Sequence, residues 1–454
     1  MMSELSMKLM VCLMIVIGLF AALPVKADTP VKTGPLDLST AYQQALKYDA
    51  RLRLAQADNM ATKEEIAKAW SQFRPNVRVS ASRGRNQTQY TGKYPGTQDF
   101  YNTVTNGFTV RQSLFNMSNI AEYKQSKSVV AKSDADLHKE EETLIVRITE
   151  AYCNALYAED NLEFSQAHVK ASLEQLQQAK RRYDKGFGTV TEIGEAQANY
   201  DMALAEGVDI ANSVEFSRRE LENITGSYPY ELCKVVPEKM VFLPASQNGV
   251  EAWIDLAMVG NKDIVGAREE IQVAWREVQK QKAARYPTID LVGGKSYSVS
   301  ENNYSIGSTY NTYSIALQMS LPIYTGGYIS ASVRQAHAKW IKADEQLRWR
   351  ERGTESDVRK YYNGLLGSVA QINAYEQAVK SGEIALKGTE KGFQTGLRTN
   401  ADVLDAGQKL LASRRNLAKS RYQYIMNRMM LKQSAGTLFA ADIDEVNNWF
   451  HPVK

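Results

Sequence analysis

The sequence predicts an α+β membrane protein: a tandem-duplicated protomer of long coiled-coil helices that carries four β-strands and follows an export signal. Three observations predict it. The chain repeats itself at an offset of about 210 residues, each copy holds a very long proline-free run, and each copy holds two runs that alternate apolar with polar residues.

Taken in order, Lys8 precedes an apolar run from Leu9 to Leu23 and the small-residue site Val25-Lys26-Ala27 before Asp28, so residues 1–27 read as a cleaved signal peptide. The run is short for a membrane anchor, and Cys12 lies inside it with almost nothing apolar before it, which argues against a lipoprotein. Beyond it no stretch reaches the ~18 to 20 uninterrupted apolar residues of a spanning helix. The mature chain is therefore either soluble after export or enters a membrane as β-strands.

Composition removes other classes. A balance of 55 basic against 51 acidic residues is too mild for nucleic acid. His138, His168, His337 and His451 are scattered without a His-x-x-x-His pair, so no metal site is expected, and no cofactor is expected either. Nothing pairs a nucleophile with a base, so no enzyme is expected. Cys153 and Cys233 are the cysteines of the mature chain, and the sequence leaves open whether they bridge.

The repeat sets the domain organisation. Ala45 corresponds to Ala257 and Pro75 to Pro287 at an offset of 212, while Ile224-Thr225-Gly226 corresponds to Ser434-Ala435-Gly436 at 210. The first repeat is read over 28–226, a linker with Pro229, Pro237 and Pro244 over 227–249, the second repeat over 250–436, and a tail over 437–454.

Each repeat opens with one predicted helix, about Ser39 to Phe73 and about Val250 to Tyr286, ending near a proline. Strands follow at Asn76–Arg83 and Val104–Arg111, and at Thr288–Val299 and Tyr313–Leu321, joined by polar stretches Gly84–Asn102 and Ser300–Ser308 that read as long loops. Alternation in one strand alone fits a half-buried soluble sheet; four such strands with long polar loops in an exported chain fit an outer-membrane barrel better. Four strands cannot close a barrel, because the smallest need about eight, so an oligomer is implied.

The long helices are predicted over Met117–Tyr183 and Tyr328–Phe393, each ~100 Å at 1.5 Å per residue. Leu162, Val169, Leu176 and Tyr183 recur every seven residues, which is coiled-coil spacing. Gly364, Gly367, Gly382 and Gly388 are candidate bends in the second copy. A glycine turn interrupts each helix, and return helices are expected over Thr191–Thr225 and Ala401–Ala435, each stopped by Gly226 or Gly436. The linker, the tail and the opening helices together suggest a belt beside the long helices.

The two glycine turns correspond at 210 residues: Gly186 with Gly396, Thr189 with Thr399, Glu192 with Asp402. Asp402 and Asp405, three positions apart at a helix start, share one face and suit the helix dipole, and by themselves they read as first-turn caps. This order of elements, together with Ser320-Leu321-Pro322-Ile323-Tyr324-Thr325-Gly326-Gly327, Asn223-Ile224-Thr225-Gly226 and the segment Gly396 to Ala406, resembles the TolC-like outer-membrane efflux protein family.

The resemblance implies a homotrimer in which three protomers each give four strands to a 12-stranded β-barrel in outer-membrane lipid, continued by a periplasmic α-helical tunnel. It implies an exit duct for small molecules, for type I protein secretion, or for both, working with a periplasmic adaptor (membrane fusion protein) and an inner-membrane transporter in a Gram-negative-type cell. Asp402 and Asp405 would then form an entrance constriction of six carboxylates that favours cations. Arg398, Thr191, Glu192 and Phe393 match positions that hold the family's entrance shut, with Phe393 standing where the family has a tyrosine. Gly186, Phe187, Gly396 and Leu397 match the tip turns that meet the adaptor. A soluble periplasmic coiled-coil adaptor or structural protein is the competing reading, distinguished by the four strands.

Overall fold

The computed structural model describes residues 34–89, 98–242, 249–301 and 308–451; the signal-peptide reading of residues 1–27 lies outside them. The first half runs α1 (Leu38–Tyr48), α2 (Ala50–Ser71), β1 (Asn76–Gln89), β2 (Gln98–Phe115), α3 (Met117–Asp184) and α4 (Val190–Thr225). The linker adds β3 (Lys234–Val235) and a single 3₁₀ turn, Pro237–Lys239. The second half repeats the order as α5 (Gly249–Gly260), α6 (Lys262–Ala283), β4 (Thr288–Ser300), β5 (Ser308–Ser320), α7 (Tyr328–Gln394) and α8 (Asn400–Ser434), followed by α9 (Ala440–Asn447) and β6 (Phe450–His451).

The single opening helix expected in each half is two helices. Asp49 breaks the first with ψ near 120°, and its Oδ1 accepts from the Leu52 amide at 2.8 Å and from Arg147 at 2.7 Å. Asn261, 212 residues later, breaks the second in the same way and accepts from the Asp263 and Ile264 amides. An Asx side chain that caps a new helix start competes with continuing the old one, and apolar periodicity does not register that competition.

The long helices run unbroken for 68 and 67 residues, so the four glycines expected as bends in α7 do not interrupt it. Two of them serve close approach instead: a Cβ on Gly364 would stand 3.0 Å from Asn427 Nδ2, and one on Gly382 would stand 3.2 Å from Leu410.

The four main strands form one antiparallel sheet in the order β1-β2-β4-β5, leaving β1 and β5 as its edges. The strands are longer than predicted, and β1 takes in part of the Gly84–Asn102 stretch expected as loop. Ladder hydrogen bonds need only extended backbone, so pairing continues past the point where the side chains turn polar. Residues 302–307 of the second expected loop lie outside the described residues.

Register separates the two faces. Val77, Val110, Gly293 and Ile315 lie side by side, as do Val79, Phe108, Lys295 and Tyr313, and Leu291 lies beside Leu317. Val79, Ile315 and Leu317 are 79%, 80% and 68% exposed. The other face carries Arg78, Thr109, Ser314 and Gln318, and there Arg111 pairs with Asp290 at 2.5 Å. One polar and one apolar face, both uncovered, is the pattern of a barrel wall between water and lipid.

The largest core cluster lies at the belt. Leu144, Ile148, Tyr152 and Leu156 of α3 pack with Ile425 and Met429 of α8, with Leu38 of α1, and with Leu232, Val446 and Trp449 of linker and tail. β3 pairs with β6, and Tyr152 donates its hydroxyl to the Leu36 carbonyl at 2.9 Å, so linker and tail close on the long helices as expected. Cys153 and Cys233 are both buried free thiols, which answers the open question of a bridge. Burial pushes the Cys153 thiol well up, leaving it protonated.

Both halves end with a left-handed glycine packed against the end of that half's first helix. Gly226, at φ 76°, abuts the Tyr48 ring at the end of α1, and Gly436, at φ 67°, abuts the backbone of Gly260 at the end of α5.

Candidate functional site: the two tip turns

The far ends of α3 and α7 turn back on themselves by the same hydrogen bonds. At the first tip the Gly186 amide donates to the Tyr183 carbonyl at 2.9 Å and the Phe187 amide to the Arg182 carbonyl at 2.9 Å. At the second the Gly396 amide donates to the Phe393 carbonyl at 3.1 Å and the Leu397 amide to the Gly392 carbonyl at 2.8 Å. Gly186 and Gly396 have φ of 77° and 78°, a region in which an L side chain is strained. The next residues, Phe187 and Leu397, are 77% and 83% exposed, so each turn presents an uncovered apolar side chain.

The return helices start differently. Thr189 caps α4 by accepting from the Glu192 amide at 3.2 Å. At α8 the cap is reciprocal: Thr399 accepts from the Asp402 amide at 3.2 Å, while Asp402 Oδ2 accepts from the Thr399 amide and hydroxyl, each at 2.9 Å. Those two bonds, with the Arg398 charge nearby, hold the Asp402 carboxyl below its ordinary pKa and keep it ionised. Asp405, one turn on, pairs with Lys409 at 2.7 Å with both side chains exposed. Asp402 is thus a cap and a fixed charge together, while exposed pairs such as Asp405 with Lys409 are worth at most ~1 kcal/mol.

The predicted closing residues are not gathered into one cluster in the protomer. Phe393 is buried, Arg398 lies across Gly392 so that a Cβ there would meet its Cγ at 2.8 Å, and Thr191 is exposed. The link between the tips comes from Arg182, which the sequence reading missed. Its guanidinium lies 4.5 Å from the centre of the Phe393 ring, and its Nη1 donates to the Phe393 carbonyl at 3.0 Å. Its Nη2 donates to the Phe187 carbonyl at 3.4 Å. A basic residue in the last turn of α3 is the available signal, and it reads in sequence as a helix-dipole partner only.

The family profile described as "Outer membrane efflux protein" matches residues 41–227 and again 253–437, once in each half. The chain belongs to this family. It is 31% identical over 414 residues to "Outer membrane protein TolC" of Vibrio cholerae, covering 90% of this chain and 93% of that one. It is 32% identical over 420 residues to "Alkaline protease secretion protein AprF" of Pseudomonas aeruginosa, covering 90% and 86%. Among solved structures the Campylobacter jejuni CmeC outer membrane channel shares the fold at a TM-score of 0.77 and 16% identity, covering 94% of each chain. The Vibrio cholerae outer membrane protein VceC shares it at 0.73 and 22% identity, covering 88% of this chain and 96% of that one.

Membership makes the protein an outer-membrane exit duct with a large periplasmic part, not an enzyme and not a soluble adaptor. The sheet agrees, since a soluble coiled-coil adaptor has no use for an uncovered apolar face on four long strands. None of the described helices is long and apolar enough to cross a membrane. The tip turns lie at the ends of α3 and α7 opposite to the sheet, a full long helix away from it.

Proposed function

We propose that three copies of this chain close edge to edge, β5 of one against β1 of the next, into a 12-stranded barrel whose helices continue as a tunnel, with the tip turns at its entrance. The observation that carries this is the open sheet with one apolar and one polar face, which four strands cannot close alone. The duct is passive; an inner-membrane transporter supplies the energy, and a periplasmic adaptor docks on the tips through Phe187 and Leu397 beside Gly186 and Gly396. Small toxic molecules, exported proteins or both are its cargo, in line with relatives named for protease secretion and for efflux.

Purified in detergent, the protein should run on an unheated gel as a trimer and open discrete channels in planar bilayers. A monodisperse monomer that stays soluble without detergent would refute the assembly.

In the closed entrance Asp402 and Asp405 face the lumen, and Arg398, Thr191, Glu192 and Phe393 contribute to closure across and within protomers. Arg182 replaces, through the Phe393 ring, the hydroxyl link that a tyrosine would make. A stacked cation contributes ~0.5 to 2 kcal/mol, so Arg182→Gln should raise the open-to-closed ratio roughly two- to thirtyfold. Single-channel recordings of Arg182→Gln and Arg398→Ser should both show higher conductance than the parent. Parental conductance in either variant would remove that residue from the closing set.

A further inference from the structure

The apolar face of the sheet does not end in neutral residues. Alternation that places Val77 and Val79 on this face places Arg83 and Arg85 on it farther along β1, in register with Val104 and Asn102 of β2. Val104 in turn lies beside Val299 of β4. From Ile289 to Val299 the face advances ten residues, which is ~33 Å along a strand and ~25 Å across the membrane at an ordinary barrel tilt. That is the height of the apolar band of an outer-membrane barrel. Arg83 therefore stands at the edge of the hydrocarbon and Arg85 one step beyond it, at the end of the sheet away from the helices.

Both arginines are exposed, and among the described residues the ion pair of the sheet, Arg111 with Asp290, lies on the opposite face. Arg85 is held over the Phe100 ring at 5.8 Å. Lys295 lies deeper on the same face, two strands from β1 in the row of Val79, and its ammonium rests 5.0 Å from the centre of the Tyr313 ring of β5, away from the two arginines. Glu301, whose carboxylate accepts from Asn102 at 2.8 Å, is the acid beside Arg85 on this face, yet among the described residues neither arginine forms an ion pair. Two such cations on a lipid-facing surface call for a further anionic partner, and their level places it in the headgroup layer of the outer leaflet.

We propose that Arg83 and Arg85 bind the phosphates of a bisphosphorylated glycolipid whose acyl chains lie along the Val77, Val79 and Phe108 side of the sheet. Two guanidinium groups two residues apart on one strand are ~7 Å apart, so each can take a phosphate oxygen pair, and a diester headgroup with a single phosphate satisfies only one of them. The proposal rests on the sheet being a lipid-facing barrel wall.

The test uses the full-length protein in detergent and native mass spectrometry with three probes: diphosphoryl lipid A, its dephosphorylated form, and phosphatidylglycerol. The protein should retain diphosphoryl lipid A, Arg83→Gln with Arg85→Gln should weaken retention about tenfold or more, and Arg83→Lys with Arg85→Lys should restore part of it. Retention by the Gln double variant equal to the parent overturns the site, and so does phosphatidylglycerol held as tightly as diphosphoryl lipid A. Trimer mobility and channel formation are measured on the same samples. Failure of the parent to form channels would overturn the barrel reading and the site with it, whereas channel formation with unchanged lipid retention overturns the site alone.

Discussion

Replacing Asp402 and Asp405 together by Asn is expected to turn the entrance from cation-preferring to anion-preferring. The reason lies in the local charges of the second tip. Arg398 and Lys409 stand beside the two acids, and Asp402 is kept ionised by the Thr399 amide and hydroxyl. With the acids placed toward the lumen as proposed, the double variant leaves both cations uncompensated in every protomer, so a ring of positive charge replaces a balanced one. Opposite charges ~4 Å apart interact by ~1 kcal/mol even in water and by more in a narrow mouth, so block by a trivalent cation should weaken tenfold or more. Reversal potentials in asymmetric salt and titration of the blocking cation read both effects. Parental selectivity and block in the double variant would remove the pair from the lumen. Asn at 402 can still accept from the Thr399 amide, so the cap should lose less than ~1 kcal/mol and the tip should keep its fold.

Gly436→Ala is expected to be the most damaging small substitution in the described fold, and Gly226→Ala its milder twin. A Cβ on Gly436 would sit 2.1 Å from the Gly260 carbonyl carbon and 2.5 Å from the Asn261 amide nitrogen, so two backbone segments would have to part. At Gly226 the Cβ would meet the Tyr48 ring at 2.5 Å, but that ring is 55% exposed and can swing away. Both pay the left-handed backbone cost of ~1 to 2 kcal/mol, and Gly436→Ala should lose more than ~3 kcal/mol in total. Thermal unfolding followed by circular dichroism in detergent gives the ranking. Equal midpoints for the two variants would show that the Gly260 junction yields as easily as an exposed ring.

Much of this was legible because duplication prints each element twice. The hairpins, the long helices, the glycine turns and the stops at Gly226 and Gly436 all lie where local rules place them: alternation for strands, absence of proline for helices, glycine for positive φ. The breaks at Asp49 and Asn261 were legible in principle, as capping side chains repeated at the same offset, but each sits inside a pattern whose apolar spacing continues across it. The tip turns and the Thr399 cap are local too, since their own backbone and capping hydrogen bonds span only a few residues.

The sequence by itself determined the elements, the duplication and the chemistry of the tips, because those depend on neighbours along the chain. Only the tertiary structure decided which faces meet. It joined β2 to β4 so that the two hairpins make one sheet with opposed faces, and it closed the tail on the linker through β3 and β6. It also brought Arg182 of the first tip onto Phe393 of the second, more than 200 residues away. The physical reason is common to all three. Pairing across so many residues is set by the mutual packing of long helices, whose relative rotation and stagger follow from the whole buried interface, and no local pattern in the chain records it.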